Sequence, residues 1–64
     1  MAMTMKTPAR VCAIEIGKLR SKGIELNADA VRNVYDWARK EGLYLSQHEL
    51  IGEVRRRLKD AIVG

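Results

Sequence analysis

The chain has 64 residues and a formal net charge of +4, with one cysteine, one tryptophan, two tyrosines and no phenylalanine. This length allows one small domain (residues 1–64) with a mainly aliphatic core, and a single cysteine excludes an internal disulfide. No apolar run is long enough for a signal peptide or a membrane span, so we expect a cytoplasmic protein with no membrane partner.

The first helix is predicted over residues 8–22, after a flexible N-terminal tail of residues 1–6. Pro8 suits the first helical position, where a missing N–H costs no hydrogen bond. Apolar residues follow at helical spacing: Val11, Cys12, Ile16 and Leu19. Gly23 is expected to take the left-handed conformation that ends the helix, with Ile24 folding back on Leu19 as in a Schellman motif.

The second helix is predicted over residues 28–41. Asn27 is its expected N-cap, and Leu26 and Val31 are placed to pack as a hydrophobic staple around that cap. The buried face is predicted to contain Val31, Val34 and Ala38. Gly42 is expected to end this helix.

The third helix is predicted over residues 47–62, with Ser46 and Glu49 forming a capping box. Its apolar face is expected to contain Leu50, Ile51, Val54, Leu58, Ala61 and Ile62. The stretches GIELN (23–27) and GLYLS (42–46) share one pattern, so we predict that both glycines end a helix in the same way. The result is an all-α fold, a small three-helix domain with short, capped loops that begin with glycine.

Few residues suggest catalysis. Cys12 lies on the apolar face of the first helix, as expected of a small buried thiol, and His48 lies on the polar side of the third. There is no glycine-rich phosphate loop, no paired-carboxylate pattern and no cluster of cysteines and histidines. We therefore expect a protein that is not an enzyme and that has no cofactor, metal or small-molecule substrate.

Basic residues on two helices are the candidate nucleic-acid contacts. Arg55, Arg56 and Lys59 fall on the side of the third helix opposite its apolar face, with Gly52 among them. Residues 1–23 contain five lysines and arginines against one glutamate, and three of these form a second basic edge: Lys18, Arg20 and Lys22. Cationic side chains of this kind suit DNA phosphates.

The competing interpretation of the third helix is a solvated face with ion pairs. Glu53 is spaced to pair with Arg57, and Arg56 with Asp60, each four residues apart on the helix. Arg57 itself is placed nearer the edge of the core than Arg55 and Arg56.

A second candidate surface lies on the first helix. Ile14 and Gly17 are placed on the side away from Cys12 and Ile16, where an outward isoleucine beside a small residue suits close helix packing. This pattern indicates a homodimer or a protein partner. The region of Trp37 and Tyr44 is an alternative docking surface.

The stretch VYDWARKEGLYLSQHELI (34–51) resembles part of the C-terminal DNA-binding domain of the actinobacterial H-NS-like xenogeneic silencers. The shared positions are Trp37, Ala38, Arg39, Gly42, Leu45, Ser46 and Ile51. The resemblance implies two helices joined by a short loop that bind AT-rich DNA in the minor groove. Where that family has an Arg-Gly-Arg element, this chain has His48, Glu49 and Leu50, so no base-contacting residue is carried across.

The same stretch is also similar to the peripheral subunit-binding domain of 2-oxo-acid dehydrogenase acyltransferases, a protein-binding module. It lacks that family's glycine-rich loop before the second helix.

Taken together, the sequence predicts a small nucleic-acid-binding protein, regulatory or accessory, in which helices 2 and 3 form a helix-turn-helix-like pair. The alternative is a protein-interaction module, such as an adaptor, inhibitor or small subunit.

Overall fold

A computed structural model describes residues 7–63 and confirms a small all-α fold of three helices. The helices are α1 (Pro8–Ser21), α2 (Ala28–Glu41) and α3 (Gln47–Lys59). The tail predicted for residues 1–6 lies outside the described residues. Within residues 7–63, no helix is both long and apolar enough to cross a membrane.

α1 begins and ends as the sequence predicts, although its last residue comes one position earlier. Thr7 is the N-cap and Pro8 occupies the first turn. At the other end Gly23 has a φ of 81°, and the Ile24 N–H donates to the Leu19 carbonyl over 3.1 Å. This hydrogen bond is the one that defines a Schellman motif, so the predicted helix stop is confirmed.

The loop between α2 and α3 differs from the loop between α1 and α2. The prediction that Gly23 and Gly42 end a helix in the same way is therefore wrong. Gly42 has right-handed φ and ψ of −63° and −24°, and it begins a 3₁₀ turn over Gly42–Tyr44. A glycine is needed there for space, because a Cβ on Gly42 would lie 2.8 Å from the Cβ of Pro8 and 3.1 Å from Cδ1 of Leu50. Gly42 therefore lets the start of α1 pack directly on the turn.

The N-terminus of α3 forms the predicted capping box. The Glu49 N–H donates to Ser46 Oγ over 3.2 Å, and the Ser46 N–H donates to Glu49 Oε1 over 3.0 Å. Leu50 is buried, and Leu45 packs against the same core from the turn. This is the arrangement expected of a hydrophobic staple around the Ser46 cap. These contacts set the direction in which α3 leaves the turn.

α3 ends at Lys59, three residues before its predicted end. The residues after it turn back to the loop between α1 and α2, where the Asn27 N–H donates to the Ala61 carbonyl over 2.8 Å. The Val63 N–H donates to the Glu25 carbonyl over 3.0 Å, which completes an antiparallel bridge. The predicted apolar face was therefore too long: Ala61 is buried, but Ile62 is outside the helix and exposed.

Each helix contacts the other two, and the core lies between all three. Its buried members are Val11, Cys12, Ile16, Val31, Val34, Ala38, Leu50, Val54 and Leu58. Pro8 lies beside Gly42, Glu15 contacts Arg55, and the loop after α1 pairs with the residues after α3. α1 and α3 therefore run in the same direction, and their C-terminal ends lie at the same end of the bundle.

Candidate nucleic-acid interface

The outer face of α3 is formed by exposed polar or small residues, which we call the α3 outer face: His48, Gly52, Arg55, Arg56 and Lys59. They recur every three or four residues, so they share one side of the helix. The opposite side is buried in the core through Leu50, Val54 and Leu58. A Cβ on Gly52 would meet nothing within 4 Å, which leaves a shallow point at the middle of this face.

One carboxylate, Glu53, holds two of the three consecutive arginines. Arg56 Nη2 donates to Glu53 Oε1 over 2.8 Å, and Arg57 Nε lies 3.4 Å from the same oxygen. The hydrogen bond and charge of Arg56 lower the pKa of Glu53 below its ordinary value. The predicted Glu53–Arg57 pair is confirmed.

The predicted ion pair between Arg56 and Asp60 is wrong. Side chains on a helix lean toward its N-terminus, so Arg56 reaches back to Glu53. Asp60 follows the last residue of α3 as its C-cap and acts on Arg56 only through its charge.

Arg57 belongs to the edge of the core and not to the α3 outer face. Its guanidinium carbon lies 4.1 Å from the centre of the Trp37 ring, a cation–π contact that joins α3 to α2. Arg57 Nε is shielded from solvent and makes no hydrogen bond. The position predicted for Arg57 is thus confirmed, and the half-buried Trp37 ring is covered by it.

Glu15 of α1 is a buried acidic residue that the sequence analysis did not single out. Arg55 Nε donates to Glu15 Oε1 over 2.9 Å, and Lys18 Nζ donates to Glu15 Oε2 over 3.4 Å. Burial alone would raise the pKa of Glu15, but the hydrogen bonds and charges of Arg55 and Lys18 outweigh it and hold the pKa below its ordinary value. Glu15 therefore joins a predicted site residue on α1 to one on α3.

The other basic residues predicted as contacts are exposed near the C-terminal ends of α1 and α3. No carboxylate of residues 7–63 lies within 4.0 Å of Arg20, Lys22 or Lys59. Because α1 and α3 run in the same direction, these three cations lie at the same end of the bundle. The structure thus brings Lys18 to Arg55 and places the remaining cations at one end.

The two surfaces predicted to bind a protein partner lie on different elements: Ile14 and Gly17 are on α1, and Tyr44 is on the 3₁₀ turn. Ile14 is partly exposed and borders a groove of about 100 Å³ between α1 and α3, whose wall includes Ile51. Gly17 is exposed, and a Cβ there would meet nothing within 4 Å. On the 3₁₀ turn, Leu43 is 73% exposed and Tyr44 is 84% exposed.

Cys12 and His48, the two residues with side chains suited to catalysis, lie in different environments. Cys12 is fully buried, and this burial raises the pKa of its thiol, although the charge of Arg39 partly offsets the effect. His48 is exposed at the start of α3. In the part of the chain that the structure describes, no three histidine, cysteine, aspartate or glutamate residues are grouped to hold a metal.

Comparison with protein-family models, curated proteins and solved structures finds no match. The resemblance of residues 34–51 to the H-NS-like silencers stays a prediction. In this chain Glu49 is held in the capping box and Leu50 is buried, so both positions serve the fold. Glu49 is exposed but carries a negative charge, and Leu50 is inside the core, so neither is suited to contact DNA.

Proposed function

We propose that this chain is a small nucleic-acid-binding protein, regulatory or accessory, that contacts the phosphate backbone of duplex DNA through the α3 outer face. The observation that carries the proposal is the composition of this face. Three cations, Arg55, Arg56 and Lys59, lie beside the open position at Gly52. The exposed carboxylates of this side are confined to the two ends of α3, where Glu49 is held in the capping box and Asp60 is the C-cap. α2 and α3 form the helix-turn-helix-like pair that presents it.

Two carboxylates beside this face, Glu15 and Glu53, are each shared by two cations. Glu15 is shared by Lys18 and Arg55, and Glu53 is shared by Arg56 and Arg57. Each cluster therefore keeps one positive charge in excess, and in the second cluster one of the two cations is Arg57 at the edge of the core. A concentration of positive charge on one surface attracts a polyanion and speeds its association.

The ion pairs on this surface leave the cations able to bind phosphate. Arg56 remains 64% exposed while bonded to Glu53, and an exposed ion pair is worth only about 0–1 kcal/mol. A DNA phosphate can replace or share such a bond at little cost. Contacts of this type position a protein on DNA without specifying the base sequence.

The proposal is tested by the salt dependence of binding to a mixed-sequence DNA duplex, measured by fluorescence anisotropy. Log affinity should fall linearly with log salt, with a slope of about −0.9 for each phosphate contact. We expect a slope equivalent to three or more contacts. No binding at low salt would contradict the proposal.

A matched pair of double variants tests the face itself. Arg56→Gln with Lys59→Gln should reduce the magnitude of the slope by about 1.8, the value for two contacts. The control is Arg32→Gln with Lys40→Gln, which removes the same charge from exposed positions on α2. If both double variants weaken binding equally, the DNA is attracted by net charge alone and α3 is not the interface.

The second candidate function is a protein-interaction module, and the exposed Leu43 and Tyr44 favour it. Tyrosine is a typical anchor for a protein partner, and Leu43 adds a second exposed apolar side chain beside Tyr44. Ile14 on α1 is the other candidate anchor. In this alternative Ile14→Asp or Tyr44→Ser should abolish the activity and Arg56→Glu should be mild, whereas DNA binding predicts the reverse order.

A further inference from the structure

We propose that Glu15 is a positioning residue, which holds Lys18 of α1 and Arg55 of α3 side by side as a contact site for one DNA backbone phosphate. This inference rests on the proposed function and adds a specific site to it. The site lies between α1 and α3, whereas the helix-turn-helix-like pair is formed by α2 and α3. It therefore places a phosphate at the seam between α1 and α3.

The hydrogen bonds to Glu15 use only part of the donor capacity of the two cations, since Lys18 Nζ has three N–H groups and Arg55 has two Nη groups besides Nε. Arg55 bonds to Glu15 through Nε, and within residues 7–63 its two Nη groups make no side-chain hydrogen bond. These groups form the edge of guanidinium that binds phosphate in two parallel hydrogen bonds. The Arg55 side chain is 60% exposed and the Lys18 side chain 57% exposed, so both reach solvent.

The Glu15 carboxylate itself faces inward. Its side chain is only 9% exposed, and each of its oxygens is occupied by one cation. With two positive charges around one negative charge, the three side chains present a net positive charge to solvent. An incoming phosphate would meet the cations and not the carboxylate.

Holding both cations before binding lowers the entropy cost of the contact. Lys and Arg side chains have many rotamers, and ordering them on binding reduces affinity. A carboxylate that bonds one side chain through each oxygen limits this freedom in advance.

The test is Glu15→Gln, measured against a mixed-sequence duplex by fluorescence anisotropy over a range of salt. The substitution keeps the shape of the side chain and makes the protein one unit more positive. If Glu15 only contributes charge, affinity should rise and the salt slope should be unchanged or steeper. If Glu15 positions the cations, the magnitude of the slope should fall by about 0.9 to 1.8, with no gain in affinity.

The matched control is Glu41→Gln. Glu41 is exposed at the end of α2 and no basic residue of 7–63 pairs with it. This variant has the same change of charge as Glu15→Gln without releasing a cation. We expect its slope to equal that of the wild type.

A second variant, Arg55→Lys, keeps the net charge but removes the planar edge formed by the Nη groups. Because Arg55 is mostly exposed, this variant should fold even if Glu15→Gln does not. Its affinity should fall because the two parallel hydrogen bonds are lost, while its salt slope stays that of the wild type because the charge is kept. Tighter binding by Glu15→Gln, or an unchanged affinity for Arg55→Lys, would overturn the positioning role while the proposed function stands. Absence of binding by the wild type would overturn both.

Discussion

The packing of Gly42 against α1 predicts that a single added methyl group destabilises the fold. The right-handed backbone at Gly42 suits alanine, which by itself would gain roughly 0.4–1 kcal/mol through the unfolded state. However, its Cβ would lie 2.8 Å from Cβ of Pro8 and 3.1 Å from Cδ1 of Leu50, whereas ordinary contact begins at 3.4 Å. Overpacking costs about 1–3 kcal/mol, so we expect Gly42→Ala to lower the free energy of unfolding by about 1 to 2 kcal/mol.

Urea denaturation followed by the fluorescence of Trp37, the single tryptophan, measures this loss. The midpoint should fall with no change in the dependence on urea concentration. A glycine can be required either because the backbone is left-handed or because there is no space for a side chain. Asparagine distinguishes the two cases, because it tolerates a left-handed backbone better than alanine but is bulkier. Gly42→Asn should therefore be at least as destabilising as Gly42→Ala, while Gly23→Asn should be less destabilising than Gly23→Ala.

Two results would refute this reasoning. If Gly42→Ala leaves the free energy of unfolding unchanged, the turn does not pack closely on Pro8. If Gly42→Asn is milder than Gly42→Ala, the position needs a left-handed backbone, as the sequence pattern had indicated. In either case the close contact between α1 and the turn would be wrong.

Three further predictions concern stability. Ser46→Ala removes the cap of α3 and should cost about 1 kcal/mol in urea denaturation; no loss would mean that the capping box is not formed. Gly52→Ala should add up to about 1 kcal/mol, because a Cβ there meets nothing and alanine favours a helix; a loss of stability would show that this position is not open. Because the folded pKa of Glu15 lies below its ordinary value of 4.5, its ionised carboxylate stabilises the fold above that pH. This contribution disappears as the pH falls through the lower folded pKa, so thermal melts in acid should show a smaller decline for Glu15→Gln than for the wild type, and parallel declines would contradict the assignment.

The helix starts were predictable because their signals are local. Asn27 and Ser46 cap α2 and α3 through hydrogen bonds that reach only three residues ahead. The end of α3 was not predictable in this way. Ala61 and Ile62 continue the apolar spacing of the helix, but their backbone pairs with residues about 35 positions earlier, and no local pattern records that pairing.

The basic residues of the candidate site were predictable as exposed positions, whereas their partners were not. Helical spacing predicts only ion pairs between residues three or four apart on one helix, whereas Glu15 and Arg55 are separated by 40 residues. A signal for it was present, because Glu15 lies within the apolar stripe between Cys12 and Leu19. An acidic residue at such a position must find a cation on another helix or remain costly to bury.

The bridge between the α1–α2 loop and the residues after α3 has a consequence for hydrogen exchange. Backbone amides beyond the last turn of a helix normally exchange quickly, since local fraying exposes them. The Asn27 and Val63 amides instead donate to carbonyls across the bridge, so α3 cannot release its end without also releasing the loop before α2. These two amides belong to the same opening unit, although 35 residues separate them along the chain, and their protection reports on the closure of the whole bundle.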